Sequence, residues 1–341
     1  MKLSIVILCW NDRKVILDCL RSIYSGTHSV SFEAIVSDNG STDDSVKEIR
    51  EAFPRTRVLE NGRNLRFSKG NNEGIRASSG EFVLILNPDT IIHDGALDSL
   101  VAFAETHPEA GAFGCRVVNP DGSYQESGRP FPTVFRSWVA ALCLRPLAHL
   151  SSVFDSDQYT RWKGDTERQI DWQSGCCVLV RSELLKRLGG FDEQFYYYYE
   201  DVDLCKRVWD AGYPVLFTPQ AVITHLGGQS TSRRFPLRFE LDKYTNRYRY
   251  FYKYYGAEGA RACRRVTLAS LLLRKFGYAL VQLMKPSDSL RQRGELFRAA
   301  IDWNRSVDPV ALVETGKEYT PAATPLGLDQ QAPCQRGATR E

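Results

Sequence analysis

The first hundred residues alternate short β-rich runs with stretches of helical period, and no other feature restricts the fold as much. Residues 3–8, 32–36, 57–59 and 82–86 read as strands, and residues 14–24, 43–52, 69–77 and 95–106 as the helices that follow them. This βαβα rhythm predicts an α/β fold with a mostly parallel central sheet covered by helices on both faces. In such sheets ligands bind beyond the carboxyl ends of the strands. Asn11, Asp38 and Asp89 each follow an expected strand end by one to three residues, which makes all three candidates for ligand contact.

Two nucleotide-binding classes are disfavoured. No G-x-G-x-x-G follows the first strand, and no G-x-x-x-x-G-K-[ST] occurs. Nucleic acid is not expected as a partner either, because 44 Lys and Arg against 41 Asp and Glu leave a formal charge of only +3. The nine cysteines form no C-x-x-C pair, so they read as reduced, mostly buried thiols in a cytoplasmic compartment. The apolar N-terminus is cut off by Asn11, Asp12, Arg13 and Lys14 and reads as a buried strand rather than an export signal. The apolar stretch 268–284 contains Arg274, Lys275 and Gln282, which argues against a spanning helix.

Beyond residue 119 the pattern becomes irregular, with a short apolar helix expected around 134–147. Regularity returns as a strand at 177–180, helices at 182–188 and 200–211, and strands at 215–217 and 221–224. From 236 to about 303 the chain is helical and rich in Arg, Lys and Tyr. After about 320 it is rich in Pro, Gly, Gln and Ala and is expected to be disordered. The expected division is a catalytic domain at 1–235, a helical extension at 236–305 and a flexible tail at 306–341.

Three clusters and one histidine can carry chemistry. Ser37-Asp38-Asn39-Gly40-Ser41 is plainly a strand end followed by a turn. Functionally, the Asp38 carboxylate, which can only accept, would meet the imide N–H of uracil or thymine. Leu86-Asn87-Pro88-Asp89-Thr90 is a proline turn, or a carboxylate holding Mg²⁺ or Mn²⁺ against a diphosphate. Tyr199-Glu200-Asp201-Val202-Asp203 opens a helix, where acidic residues suit the dipole without any chemistry. A helix starting there puts Val202, Cys205 and Trp209 on one face and leaves Glu200 and Asp201 at an exposed mouth, where a carboxylate can act as general base. His225 alone reads as an ordinary polar residue.

Taken in order, these motifs resemble family 2 glycosyltransferases of the GT-A fold, in their rhamnosyltransferase-like branch. The resemblance runs from about Lys2 to Tyr255. It includes Ile7-Leu8-Cys9-Trp10-Asn11, Asn64 through Gly74, Asp121-Gly122-Ser123-Tyr124-Gln125, Arg129-Pro130-Phe131-Pro132-Thr133 and Gly189-Gly190-Phe191-Asp192-Glu193. It implies that Asn11 and Asp38 hold the nucleoside, and that Lys69, Asn71 and Asn72 lie near the nucleotide and diphosphate. Asp89 and His225 would hold a divalent cation, with Asn87 where the family has the first Asp of its metal motif. Asp201 would be the general base with Glu200 beside it, and Trp172 and Glu200 would touch the acceptor. Arg66 stands where the branch usually has Gly.

The expected activity is therefore inverting transfer of a sugar, L-rhamnose from dTDP-L-rhamnose, to a glycan or polyprenyl-linked acceptor in cell-surface polysaccharide synthesis. The alternatives are the same chemistry with a UDP-hexose or UDP-galactofuranose, or a non-catalytic sugar-nucleotide-binding subunit. Leu268, Leu272, Phe276, Ala279, Leu280 and Leu283 recur at helical spacing beside Arg261, Arg264, Arg265, Arg274 and Lys275. That face is expected to dock peripherally on the inner membrane surface, or to pack on the catalytic domain or on a second subunit of a homo-oligomer. The Arg and Tyr mixture at 233–255 leaves nucleic-acid stacking as a further alternative.

Overall fold

The computed structural model describes residues 1–227, 236–284 and 288–316. Its first part runs β1 (Leu3–Cys9), α1 (Arg13–Gly26), β2 (Phe32–Asp38), α2 (Ser45–Ala52), β3 (Arg57–Glu60), α3 (Arg66–Ala77), β4 (Phe82–Leu86), β5 (Thr90–Ile92) and α4 (Ala96–Thr106). Then come β6 (Ala112–Val118), β7 (Tyr124–Gln125), β8 (Gly128–Arg129), α5 (Val134–Ala141), β9 (Arg168–Ile170), β10 (Trp172–Gln173), β11 (Cys177–Arg181), α6 (Ser182–Arg187), α7 (Glu200–Asp210) and β12 (Val215–His225).

The main sheet has the order β3-β2-β1-β4-β11-β6-β12-β5. Its first four strands are parallel, as the βαβα rhythm requires. The second half is mixed: β11 lies antiparallel to both β4 and β6, whereas β6 and β12 are parallel. β11 arrives from the irregular segment after β6 and not through a crossover helix, so nothing forces it into the parallel direction. The expected strands 215–217 and 221–224 are one strand, β12, whose register shifts between Thr218 and Val222. Pro219 lies in that shift, where a residue with no N–H interrupts the ladder. The helix expected at 134–147 ends at Ala141, and a 3-10 turn over Arg145–His149 follows, with Pro146 at its start.

Continuous apolar runs in the central strands reflect burial on both faces. Leu3, Ile5 and Ile7 of β1 and Leu84 and Leu86 of β4 enter the core beneath α1 and α4, while Val6, Val83 and Ile85 enter the core beneath α6 and α7. Truncating a fully buried residue such as Leu84 to Ala would cost about 2–5 kcal/mol. α3 lies close on β1 because Gly70 and Gly74 face it: a Cβ at either position would run into Leu8 or Val6.

The C-terminal part is helical, as expected: α8 (Pro236–Met284), α9 (Asp288–Ser306) and α10 (Pro309–Glu314). α8 is broken at Gly256, which has φ 67° and ψ −170°. Its first arm shares a core with the catalytic part, where Tyr248, Tyr250 and Phe251 meet Phe195 and Val202. These three rings are fully buried, so the part of the Arg and Tyr mixture that they supply is core and not a surface for stacking bases. α10 is a correction to the flexible tail expected from 306, since Val310 and Leu312 pack into the helical extension. The low-complexity segment after 320 lies outside the described residues.

Candidate functional site

A cavity of about 980 Å³ opens at the carboxyl ends of β1, β2 and β4, where the strand-end rule places a ligand. Its sheet side includes Leu8, Asn39, Asn87, Asp89 and His225; on its other side lie the start of α7 and the extension helices.

Asp38 is the last residue of β2 and is buried; it does not itself line the cavity, which Asn39 beside it does. Its Oδ2 accepts the backbone N–H groups of Gly40 and Ser41, both at 3.0 Å. Its Oδ1 is shielded from solvent and has no hydrogen-bond partner. A buried carboxylate oxygen left so costs about 1–3 kcal/mol, which a ligand donor would relieve. Asn11 has φ 57° and turns out of the cavity wall. Its Oδ1 accepts the Thr42 N–H at 2.7 Å, so it ties the β1 turn to the β2 turn.

The three α3 residues do not line the cavity. Lys69 lies on the exposed side of the helix. Asn71 donates to Phe67 O within α3. Asn72 donates to Phe191 O and Glu193 and accepts the Phe191 N–H, so its amide is saturated in fastening α3 to the Gly190-Phe191 turn. Asn71 Oδ1 is buried and has no hydrogen-bond partner. Asn64 and Phe67 line the cavity instead. Arg66 has φ 67°, which explains why Gly suits this position, and its guanidinium sits 4.2 Å from the Tyr196 ring centroid.

Asp89 Oδ1 and His225 Nε2 lie 3.2 Å apart, brought together by the pairing of β5 with β12. Asn87 Nδ2 is 3.4 Å from the same nitrogen. A chain of hydrogen bonds assigns the imidazole tautomer. Asp121 Oδ1 can only accept, so Ser123 Oγ donates to it at 2.6 Å and accepts from Asn119 Nδ2 at 2.9 Å. Asn119 Oδ1 then accepts from Gln125 Nε2 at 2.8 Å, and Gln125 Oε1 accepts from His225 Nδ1 at 2.6 Å. With Nδ1 donating to Gln125, a ring that gives up its second proton turns the Nε2 lone pair toward Asp89. Two electron-rich atoms at this spacing suit adjacent ligands of a six-coordinate cation, which stand about 3 Å apart when bonds are about 2.1 Å. Among the described residues no group of three or more His, Cys, Asp and Glu gathers, so substrate oxygens and water would complete such a shell. Gln125 was not singled out by sequence, because its partner His225 lies 100 residues away.

Asp201 and Glu200 both reach the cavity from the first turn of α7. Asp201 accepts from the Gly175 N–H at 2.9 Å and the Val202 N–H at 2.8 Å. Burial raises its pKa, opposed by those two amides and by Arg129. Glu200 is not at an exposed mouth: it is buried, and one carboxylate oxygen has no partner. Burial first, and then the charge of Asp201, hold its pKa well above the ordinary carboxylate range. The correction follows from Tyr198 and Tyr199, which adopt φ of 62° and 69° and fold the chain over the helix start. Such strain in consecutive residues is often found at functional sites. Trp172 lines the cavity, its Nε1 donating to Pro130 O at 2.9 Å, with the Arg129 guanidinium 5.7 Å from its ring centroid.

The pattern of Glycosyl transferase family 2 matches residues 4–189. An N-acetylglucosaminyl-diphospho-decaprenol L-rhamnosyltransferase of Mycobacterium tuberculosis is 33% identical over 210 residues, covering 58% of this chain and 68% of that protein. The rhamnosyltransferase WbbL of Escherichia coli is 26% identical over 148 residues, covering 43% of this chain and 53% of the other. Mannosyltransferase PcManGT from Pyrobaculum calidifontis, solved with GDP-Man and Mn²⁺, superposes with a TM-score of 0.52 at 17% identity, over 89% of this chain and 87% of that one. At that identity the likeness speaks for the fold, which is GT-A. Because the family match spans more than half of the chain and falls on the sheet that forms the cavity, the chain belongs to glycosyl transferase family 2 and is a glycosyltransferase acting in glycan biosynthesis.

Proposed function

We propose that this enzyme transfers L-rhamnose from dTDP-L-rhamnose to a lipid-linked glycan acceptor with inversion at the anomeric carbon. The observation that carries the reading is the presence of the Asp201 carboxylate in the same cavity as the Asp89 and His225 pair. The rhamnosyl donor is supported by the Mycobacterium tuberculosis and Escherichia coli relatives, whose names specify rhamnosyl transfer, and the lipid-linked acceptor by the diphospho-decaprenol of the former.

Asp38, with its unpartnered oxygen, accepts from the pyrimidine ring. Asp201 takes the proton from the acceptor hydroxyl as its oxygen bonds to the anomeric carbon and the bond to the diphosphate oxygen breaks, the electron pair leaving with the nucleoside diphosphate. A base with a raised pKa suits that proton transfer. Burial and the Asp201 charge raise the Glu200 pKa, which reduces the negative charge placed beside the nucleophile. Asp89 and His225 would hold Mg²⁺ or Mn²⁺, which neutralises charge on the leaving diphosphate when bound. The Mn²⁺ of the Pyrobaculum structure supports a divalent cation.

The extension lies on the inner membrane surface in this reading. By length and composition alone, Glu240–Met284 is apolar enough to cross a membrane, with a mean hydropathy of 1.2 in its most apolar window. That qualifies the argument from Arg274, Lys275 and Gln282. Lying in the interface fits better than spanning, because the charged helix α9 runs back against it through Phe297 on Tyr278, with ring centroids 5.1 Å apart.

The test is a screen of purified enzyme with dTDP-rhamnose, UDP-hexoses and UDP-galactofuranose against a prenyl diphosphate-linked N-acetylglucosamine, with the product anomer read by NMR. Preference for a UDP donor, or retention of configuration, overturns the reading.

A further inference from the structure

The far half of the cavity is built from α8 and α9. The described residues of those helices that line it include four cations, Lys243, Arg247, Arg274 and Arg293, against one carboxylate, Glu240. None of the four forms an ion pair among the described residues. Lys243 lies 5.3 Å from the Tyr198 ring centroid, and Arg293 donates to the Tyr278 hydroxyl at 3.2 Å. Arg247 is the informative one: its guanidinium lines the cavity beside Cys263, Tyr199 and Tyr248, its Nε has no hydrogen-bond partner, and among the described residues no carboxylate pairs with it. A guanidinium in a protein wall without a counter-charge is costly, and an anion in the cavity is the natural compensation.

The surroundings say what kind of anion. Arg274 and Tyr278 are one turn apart on α8 and both face the cavity. The rest of that helix end carries an exposed apolar surface, with Phe276 66% and Leu283 81% exposed beside Leu272, Leu273 and Leu280. Multiple cations together with an adjoining apolar strip match a diphosphate attached to a hydrocarbon chain.

We propose that Lys243, Arg247, Arg274 and Arg293 form an acceptor subsite that binds the diphosphate of a prenyl diphosphate-linked glycan, with the prenyl chain leaving along the Leu272–Leu283 side of α8. This rests on the reading of the enzyme as a transferase to a lipid-linked acceptor and adds where the acceptor is gripped. The glycan then points from the basic half toward Asp201, and specificity for the lipid carrier is separate from recognition of the donor.

The experiment measures binding of farnesyl diphosphate to the full chain by calorimetry, in EDTA with dTDP present, so that the Asp89 and His225 pair cannot capture the probe through a cation. Inorganic pyrophosphate, farnesol and phosphatidylglycerol vesicles are the comparison ligands. Arg274→Gln/Arg293→Gln alters exposed side chains and should fold normally; Arg247→Gln is checked by its melting curve. Each lost guanidinium should weaken farnesyl diphosphate roughly tenfold while dTDP affinity stays constant. Farnesol and pyrophosphate should each bind at least tenfold more weakly than the joined molecule. Unchanged affinity in the double variant overturns the subsite. Equal binding of pyrophosphate or farnesol, or full competition by the vesicles, overturns the assignment to a lipid-linked diphosphate. Rhamnosyl transfer is assayed in parallel. If wild type binds the probe but transfers no rhamnose, the donor reading fails and the subsite stands. If transfer proceeds with the acceptor KM unchanged in the double variant, the subsite fails alone.

Discussion

Gln125 Oε1 accepts the Nδ1 proton of His225 at 2.6 Å, and this bond decides which edge of the imidazole faces Asp89. Gln125 touches no reacting atom in the proposed reaction, yet it orients a group that would. Gln125→Leu is expected to lower Mn²⁺ affinity about 10- to 100-fold, as the loss of a bond that orients a metal-binding His does elsewhere. Gln125→Glu, which keeps an acceptor at the same place, should recover most of it. Mn²⁺ titration followed by electron paramagnetic resonance, in the presence of dTDP, reads both variants; equal affinities in all three proteins would remove Gln125 from the site.

Asp201→Asn should lower kcat roughly 100- to 10,000-fold while leaving donor binding within a few-fold, because the base acts only as the acceptor attacks. The amide keeps one oxygen for the Gly175 N–H but loses the acceptor for the Val202 N–H, so a melting curve accompanies the assay. Donor affinity by calorimetry and turnover by nucleoside diphosphate release separate the two quantities. Normal turnover would exclude Asp201 as base.

How far the sequence revealed this site depended on distance along the chain. Asp38, Asp89 and Asp201 were legible because each directly follows a strand end or opens a helix, and periodicity locates those places. That Asn72 fastens α3 to the Phe191 turn was not legible, because the contact spans 119 residues and no local pattern records it. The antiparallel insertion of β11 was hidden for a related reason, since a strand's own residues specify burial and not the direction of its neighbour.

Removal of divalent cations with excess EDTA should abolish transfer, and Asp89→Ala should lose both activity and the cation-dependent gain in donor affinity. With Asn87 beside the pair in place of a carboxylate, a cation would be held mainly by substrate, so its affinity should rise strongly when dTDP is present. Full activity in EDTA would refute the cation's role.

Glu200→Gln should change stability in a pH-dependent way. A carboxyl whose folded pKa is raised favours folding fully below its unfolded value, ordinarily 4.5, and that contribution is lost as pH rises through the folded value. Wild type should therefore lose stability relative to the variant as pH increases from about 4.5, with the Tm difference moving by a few degrees in favour of Glu200→Gln. Parallel melting curves of the two proteins from pH 4.5 to 8 check this; a constant difference would contradict the raised pKa of Glu200.

Leu272→Ser/Phe276→Ser/Leu280→Ser should reduce flotation with anionic vesicles at least tenfold without changing the melting temperature greatly, since all three side chains are exposed. Truncation after Gly256 is a poor test, because it removes Cys263 and Trp303 from a core shared with the catalytic part. Equal flotation of the triple variant and wild type would place the membrane contact elsewhere.

Asp203, two residues from the proposed base, is fully buried and receives Arg207 of its own helix together with Lys253 and Tyr254 of α8. Breaking a buried charge cluster of this kind costs about 3–5 kcal/mol. The start of α7 and the first arm of α8 should accordingly exchange their amide hydrogens through one common opening rather than two independent ones. Any event that loosens the arm at Lys253 would also let the start of α7 fray, so loss of the extension would displace the proposed base while the strand-end residues Asp38 and Asp89 keep their places.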